Sequence, residues 1–210
     1  MADLAPTLFS TGWASGVNAY ATVVLLNLLG RAGLGDVPEE LQGNVVLLVA
    51  GVMFVIEFVT DKVPFLDSIW DGIHIVVRPA IAGAIGAVYG SGDDLAALDQ
   101  AFAAGGSGAV ALASAGVKTG IRLGINTSPE PASNIIVSLL EDGAVGVIVF
   151  LAVEHPVIAA TIAAILLICG IVLVVFLWKR IRAGIRYLQE RRAGRSQPGG
   201  PPASAPGPAP

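Results

Sequence analysis

Apolar side chains run along most of this chain in long stretches, broken by short polar or Gly/Pro-rich joints. Between those joints six segments stand out, at about 7–30, 43–60, 68–90, 101–126, 132–153 and 157–178. The cleanest runs from Val157 to Trp178 without a charge. One helix of that length crosses a hydrocarbon core of roughly 30 Å. The pattern predicts an all-α fold, a polytopic transmembrane helical bundle of about six spans.

Small residues at helical spacing refine the expectation. Gly12 and Gly16, Gly86 and Gly90, and Gly116, Gly120 and Gly124 form strips that let helix backbones approach closely. A faint internal repeat is also present. Ser15-Gly16-Val17-Asn18 resembles Ala115-Gly116-Val117-Lys118, and FVTDKVP (58–64) shares its Phe-to-Pro spacing with FLAVEHP (150–156). These matches fit a 3+3 inverted repeat of the kind found in transporters. The match of TDKVP with TSPEP instead relates two hairpins in parallel, and both readings stand.

Composition agrees with the pattern: 54% of residues are hydrophobic, 13% are charged, and mean hydropathy is +0.76. The net charge of -4 conceals an asymmetry, because seven of the twelve Lys and Arg residues fall between Lys179 and Arg195. Basic flanks stay cytoplasmic, so this segment reads as a cytoplasmic juxtamembrane helix able to rest on anionic lipid headgroups; no nucleic-acid role is required. Residues 1–178 would form the membrane domain, 179–195 the basic helix, and 196–210 a disordered Pro/Gly/Ala-rich tail. An even number of spans puts both termini in the cytoplasm, with the joints at 61–67 and 126–131 on that side of a plasma membrane. The opening MADLAP lacks the basic n-region of a secretory signal, so the first segment is expected to be retained. The single cysteine, Cys169, excludes an internal disulfide, and neither a zinc-spaced cluster nor a cofactor motif is present.

Ionisable residues inside apolar segments ask for another explanation. Asp67, Asp71, His74 and Arg78 share one face of the third segment, Asn134, Ser138 and Glu141 one face of the fifth with Asp142 adjacent. At about 1.5 Å per residue, Arg78, Glu141 and Asp142 all reach roughly mid-bilayer. Lys118 and Arg122, and Glu57 and Asp61, are pairs one turn apart, and Asn18 lies half-way along the first segment. An ionised group facing lipid at that depth costs ~2.5–3.5 kcal/mol, so these must face inward and pair. The expected arrangement sets Arg78 against Glu141 or Asp142 and Lys118 near the other carboxylate. The central substrate- or ion-binding residues are then Asn18, Arg78, Lys118, Glu141 and Asp142. Glu57, Asp61, Asp71, His74, Arg122, Asn126, Glu130 and Asn134 surround an inner entrance. His74 is expected to partner Asp71, and Pro79 to kink the third helix by freeing the Ile75 carbonyl. Ser68 and Asp71 have capping-box spacing, and Ser128-Pro129-Glu130 the chemistry of a helix start.

GWASGVNAYATV (12–23), EFVTDKVPFLDSIWDGIHIVVRP (57–79), and NTSPEPASN followed by SLLED and EHP together resemble the domain of unknown function 4126 family, over roughly residues 8–175. The resemblance implies a polytopic, mostly bacterial membrane protein and carries over no catalytic residue. The residues favour a transporter or channel for a small solute or ion, with cation or proton coupling. A structural or accessory protein binding lipid or a partner, with a purely structural polar network, is the alternative. An intramembrane enzyme ranks last.

Overall fold

The computed structural model of the chain describes residues 3–91, 97–126 and 131–195. Among them are six α-helices and no strand: α1 (Leu4–Arg31), α2 (Asn44–Thr60), α3 (Leu66–Tyr89), α4 (Ala97–Ile125), α5 (Pro131–Glu154) and α6 (Pro156–Arg195). A short 3-10 turn, Glu39–Gln42, precedes α2. The apolar periodicity therefore located every helix to within a few residues at its start. Four helices, α1, α3, α5 and α6, are long and apolar enough to cross a membrane, and α2 is apolar but only 17 residues long. The chain falls into two compact units, Met1–Val174 and Val175–Pro210, with α6 running through the boundary. Within the second unit, Arg180 and Arg182 lie 5.2 and 5.6 Å from the rings of Phe176 and Trp178.

The main departure from expectation is α1. At Asn18 the backbone leaves the helix (φ -148°, ψ 97°), and the contacts on either side of that residue show the chain turning back. Gly12 abuts Ser107 of α4, and a Cβ there would sit 2.8 Å from the Ser107 carbonyl oxygen. Ser107 in turn lies against Gly86 of α3. Further along, Tyr20 meets His74, three turns lower on α3. Beyond the helix, Gly33 and Gly35 take left-handed conformations (φ 73° and 59°), and Gly35 packs on Val153 near the end of α5. One cavity of about 480 Å³ is lined by Asp3 and Thr7 from the start of α1, by Asp36 and Val37 from just past its end, and by Tyr89 and Glu154 from the ends of α3 and α5. Both ends of α1 thus lie at the same end of the bundle. Residues 4–17 enter and residues 19–31 return, each half about 20 Å long at 1.5 Å per residue.

This re-entrant hairpin replaces the single traverse expected over 7–30, so both ends of α1 lie at one end of the bundle. The hairpin is the buried heart of the fold: Trp13, Ala14, Val17, Ala21 and Leu26 pack with Ile85, Val145, Ile148, Val149 and Ala163. Its return half is anchored by Asn27, whose amide donates to the carbonyls of Leu41 and Gly43 at 2.6 and 3.0 Å. The small-residue strips do pack helices within the chain: Gly12 and Gly16 on α4, Gly86 on Ala103, Gly120 on Val174. Gly116 has open space around it. Pro79 lies inside a helix assigned without interruption from Leu66 to Tyr89, so the marked break falls at Asn18 and not at the proline.

Candidate functional site

The hairpin tip is held by three side chains that each meet a need created by the break. A helix end exposes four unpaired donors or acceptors, costly in an apolar interior. Asn18 Oδ1 accepts from the Ala21 amide at 2.9 Å, capping the start of the return half. Lys118 Nζ donates to the Val17 carbonyl at 3.0 Å, where the ingoing half presents the negative end of its dipole. Asn18 Nδ2 donates to Asp142 Oδ1 at 3.1 Å, which ties the tip to α5.

Around this tip an ionic network joins α2, α3, α4 and α5. Arg78 Nη2 lies 2.6 Å from Glu57 Oε1 and 2.7 Å from Asp71 Oδ1, all three side chains being fully buried. Lys118 Nζ is 2.7 Å from Asp61 Oδ2, 3.6 Å from Glu57, 3.8 Å from Asp71 and 3.9 Å from Glu141. Arg122 donates to Glu141 Oε2 at 2.5 Å and to the Asp61 carbonyl at 2.6 Å, and stands 3.6 Å from Asp67. Asp67 also accepts from Asn126 at 2.9 Å and Asn134 at 3.2 Å. Lys62 donates to the Phe58 carbonyl and Ser138 and lies 3.8 Å from Asp142. Buried ions survive only when paired and hydrogen-bonded, and the network shows that rule at work. Its pairing is not complete. Glu57 Oε2, Asp61 Oδ1, Asp71 Oδ2, Arg78 Nη1 and Asp142 Oδ2 are buried and find no hydrogen-bond partner among the described residues.

The predicted residues are therefore brought together, but several pairings differ. Arg78 pairs with Glu57 and Asp71, not with Glu141 or Asp142. The hairpin tip touches α3 through Tyr20 and His74 and α5 through Asn18 and Asp142, so it stands between the two faces that depth counting set opposite each other. Glu141 goes to Arg122 instead, with Lys118 close by as expected. His74 does not partner Asp71. Its ring meets the Tyr20 hydroxyl at 3.0 Å and the Trp70 carbonyl at 2.9 Å and stacks on Trp70, while Asp71 is committed to Arg78. The capping box at Ser68 also fails: α3 starts at Leu66 after Phe65, whose φ of 69° makes the sharp turn, and the Ser68 amide donates to Asp67. Glu130, Ser128 and Pro129 lie outside the described residues. Asp67, Lys62, Tyr20 and Ser138 belong to the network but were not counted as site residues. Asp67 and Ser138 are on the predicted polar faces; Lys62 falls in the 61–67 joint, and Tyr20 lies just past the break in α1.

Among the described residues no group of three or more His, Cys, Asp or Glu side chains could hold a metal ion. What the geometry defines is a polytopic helical membrane protein whose first helix is re-entrant and ends its descent in a buried network of charges. The match to the family described as domain of unknown function (DUF4126) covers residues 6–176, and the chain belongs to that family. No curated protein and no solved structure matches it significantly.

Proposed function

We propose that the protein is a transporter or channel for a small solute or ion, with cation or proton coupling, and that the substrate reaches the hairpin tip at Asn18. The observation supporting this reading is the break in α1. Discontinuous helices aimed at mid-membrane are the usual way to offer backbone and side-chain oxygens to a solute, and non-helical backbone at that depth is tolerated only inside protein or beside water. Asn18, Lys118, Glu141 and Asp142 form the centre of the site, Arg78 braces Glu57 and Asp71, and Arg122, Asn126 and Asn134 surround the approach along Asp67. Lys62, Lys118 and Arg122 lie toward the end of the bundle holding the 61–65 joint. By the positive-inside rule that end is cytoplasmic, which leaves both ends of α1 on the outer face of a plasma membrane. The basic segment after Trp178 would rest on anionic headgroups.

The test is flux. The full chain, reconstituted in liposomes with an interior pH-sensitive dye, is expected to pass protons or a monovalent cation under an imposed gradient, and Asn18→Ala and Glu141→Gln are expected to abolish the signal. No flux, or flux indifferent to both substitutions, would leave the network a purely structural lock. The close pairing of Arg78 with two carboxylates favours that second reading for its own corner of the network.

A further inference from the structure

A second cavity, of about 290 Å³, opens beside the network between α1, α4, α5 and α6. Its wall is almost wholly apolar and includes Trp13, Leu140, Leu166 and Leu173, but it also reaches Lys118 and Glu141. Leu140, Leu166 and Leu173 are themselves exposed on the surface of the bundle, so the mouth of the cavity is an apolar rim. Glu141 lies ten residues into α5, about 15 Å along it. At that depth the mouth opens level with the acyl chains, separate from the approach along Asp67.

We propose that this cavity binds a small organic cation with an apolar body, a protonated amine or quaternary ammonium, its charged head toward Glu141 and Trp13. Resting on the transport reading above, the inference names the substrate class of that same site. Three observations carry it. At ~30 Å³ per water-sized group the volume holds roughly ten non-hydrogen atoms, which sets the size. Apolar lining with a few convergent polar groups sets the chemistry of the body.

The sign of the head follows from the charges. Six carboxylates, of Glu57, Asp61, Asp67, Asp71, Glu141 and Asp142, are joined to four cations, Lys62, Arg78, Lys118 and Arg122. That leaves a formal excess of two negative charges in the network, although Lys118 also lines the cavity and Glu141 is itself bonded to Arg122. Glu141 is the carboxylate that reaches the cavity, and its side chain keeps 15% exposure. Trp13 adds an aromatic ring, whose quadrupole attracts cations.

Benzyltrimethylammonium has the required size and charge, and neopentylbenzene is its neutral isostere. With the full chain in detergent micelles, radiolabelled benzyltrimethylammonium is expected to bind saturably, with neopentylbenzene competing at least tenfold more weakly. Glu141→Gln is expected to weaken binding tenfold or more, and Ala144→Leu, which fills the cavity without touching an ion pair, to abolish it. Equal competition by the neutral isostere would overturn the proposal, as would saturable binding that survives Ala144→Leu. Binding in micelles requires no flux. Saturable cation binding by protein that moves nothing in liposomes overturns the transport reading alone, whereas proton flux without cation binding overturns this one.

Discussion

Lys118→Met is the sharpest probe of how the fold is held. The ammonium is buried and touches Asp61, Glu57, Asp71 and Glu141 as well as the Val17 carbonyl. Methionine keeps the volume and removes the charge, leaving the carboxylates at the tip short of a cation and the end of the ingoing half-helix without its donor. Breaking a buried ion pair from one side costs about 3–5 kcal/mol. Counting instead the two short charge-assisted bonds, to Asp61 and to Val17, at about 1.5–3 kcal/mol each gives a similar range. A unit of this size shifts by about 2–4 °C per kcal/mol, so Tm should fall by about 6–20 °C in a thermal unfolding experiment on the full chain in detergent. Lys62→Met is the matched control. Its ammonium is partly exposed, 3.8 Å from its nearest carboxylate and bonded to the Phe58 carbonyl and Ser138; the ion pair is worth about 0–1 kcal/mol, so its loss should cost less than that of Lys118. If Lys118→Met unfolds within 2 °C of the parent, or no lower than Lys62→Met, then the network is not what pins the hairpin tip and the reasoning fails.

Two further outcomes follow from the hairpin and its packing. Gly16→Ala should lower Tm, because a Cβ there would overlap Ala111 and Ser114 of α4, with overpacking costing about 1–3 kcal/mol; Gly116→Ala, with nothing within 4 Å, should raise stability by about 0.5–1 kcal/mol through helix propensity. A reversed order of the two Tm values would contradict the packing. In a Cys169→Ala background, cysteines at Asp3 and Asp36 should react with an impermeant thiol reagent from the same face of the membrane, and a cysteine at Lys62 from the opposite face; labelling of Asp3 and Asp36 from opposite faces would restore a single crossing for α1.

Helix number and position were legible because apolar run length reports on burial in hydrocarbon, whatever the topology. The membership of the network was legible for the same reason: Glu57, Asp61, Asp71, Arg78, Lys118, Arg122 and Glu141 cannot be left in oil, so they had to meet. Which meets which was not legible. Pairing depends on the relative depth and rotation of five segments, and those were computed by letting each apolar run cross once. A run of 28 residues satisfies that assumption equally well as one tilted span or as two half-helices folded at the middle.

Length and hydropathy cannot separate those alternatives, but the polar content of α1 could have. Ser10, Thr11, Ser15, Asn18, Thr22 and Asn27 are all buried, and they sit in a segment otherwise rich in Ala, Val and Leu. Buried hydroxyls return their bonds to the carbonyls one turn back, as Ser10, Thr11 and Thr22 do, so they tolerate an interior that leaves no room for larger polar groups. Asn has no such local solution inside a helix. Its amide must find partners elsewhere, and Asn18 finds them by interrupting the helix, with its oxygen turned onto Ala21 and its nitrogen onto Asp142. Asn27, within the return half, finds its partners outside the helix, in the carbonyls of Leu41 and Gly43. In this chain the buried Asn at the centre of the apolar run marks the fold-back. It costs the fold a helical hydrogen bond or two, and it places a cluster of charges from four helices around one point at mid-depth that a straight helix would have covered.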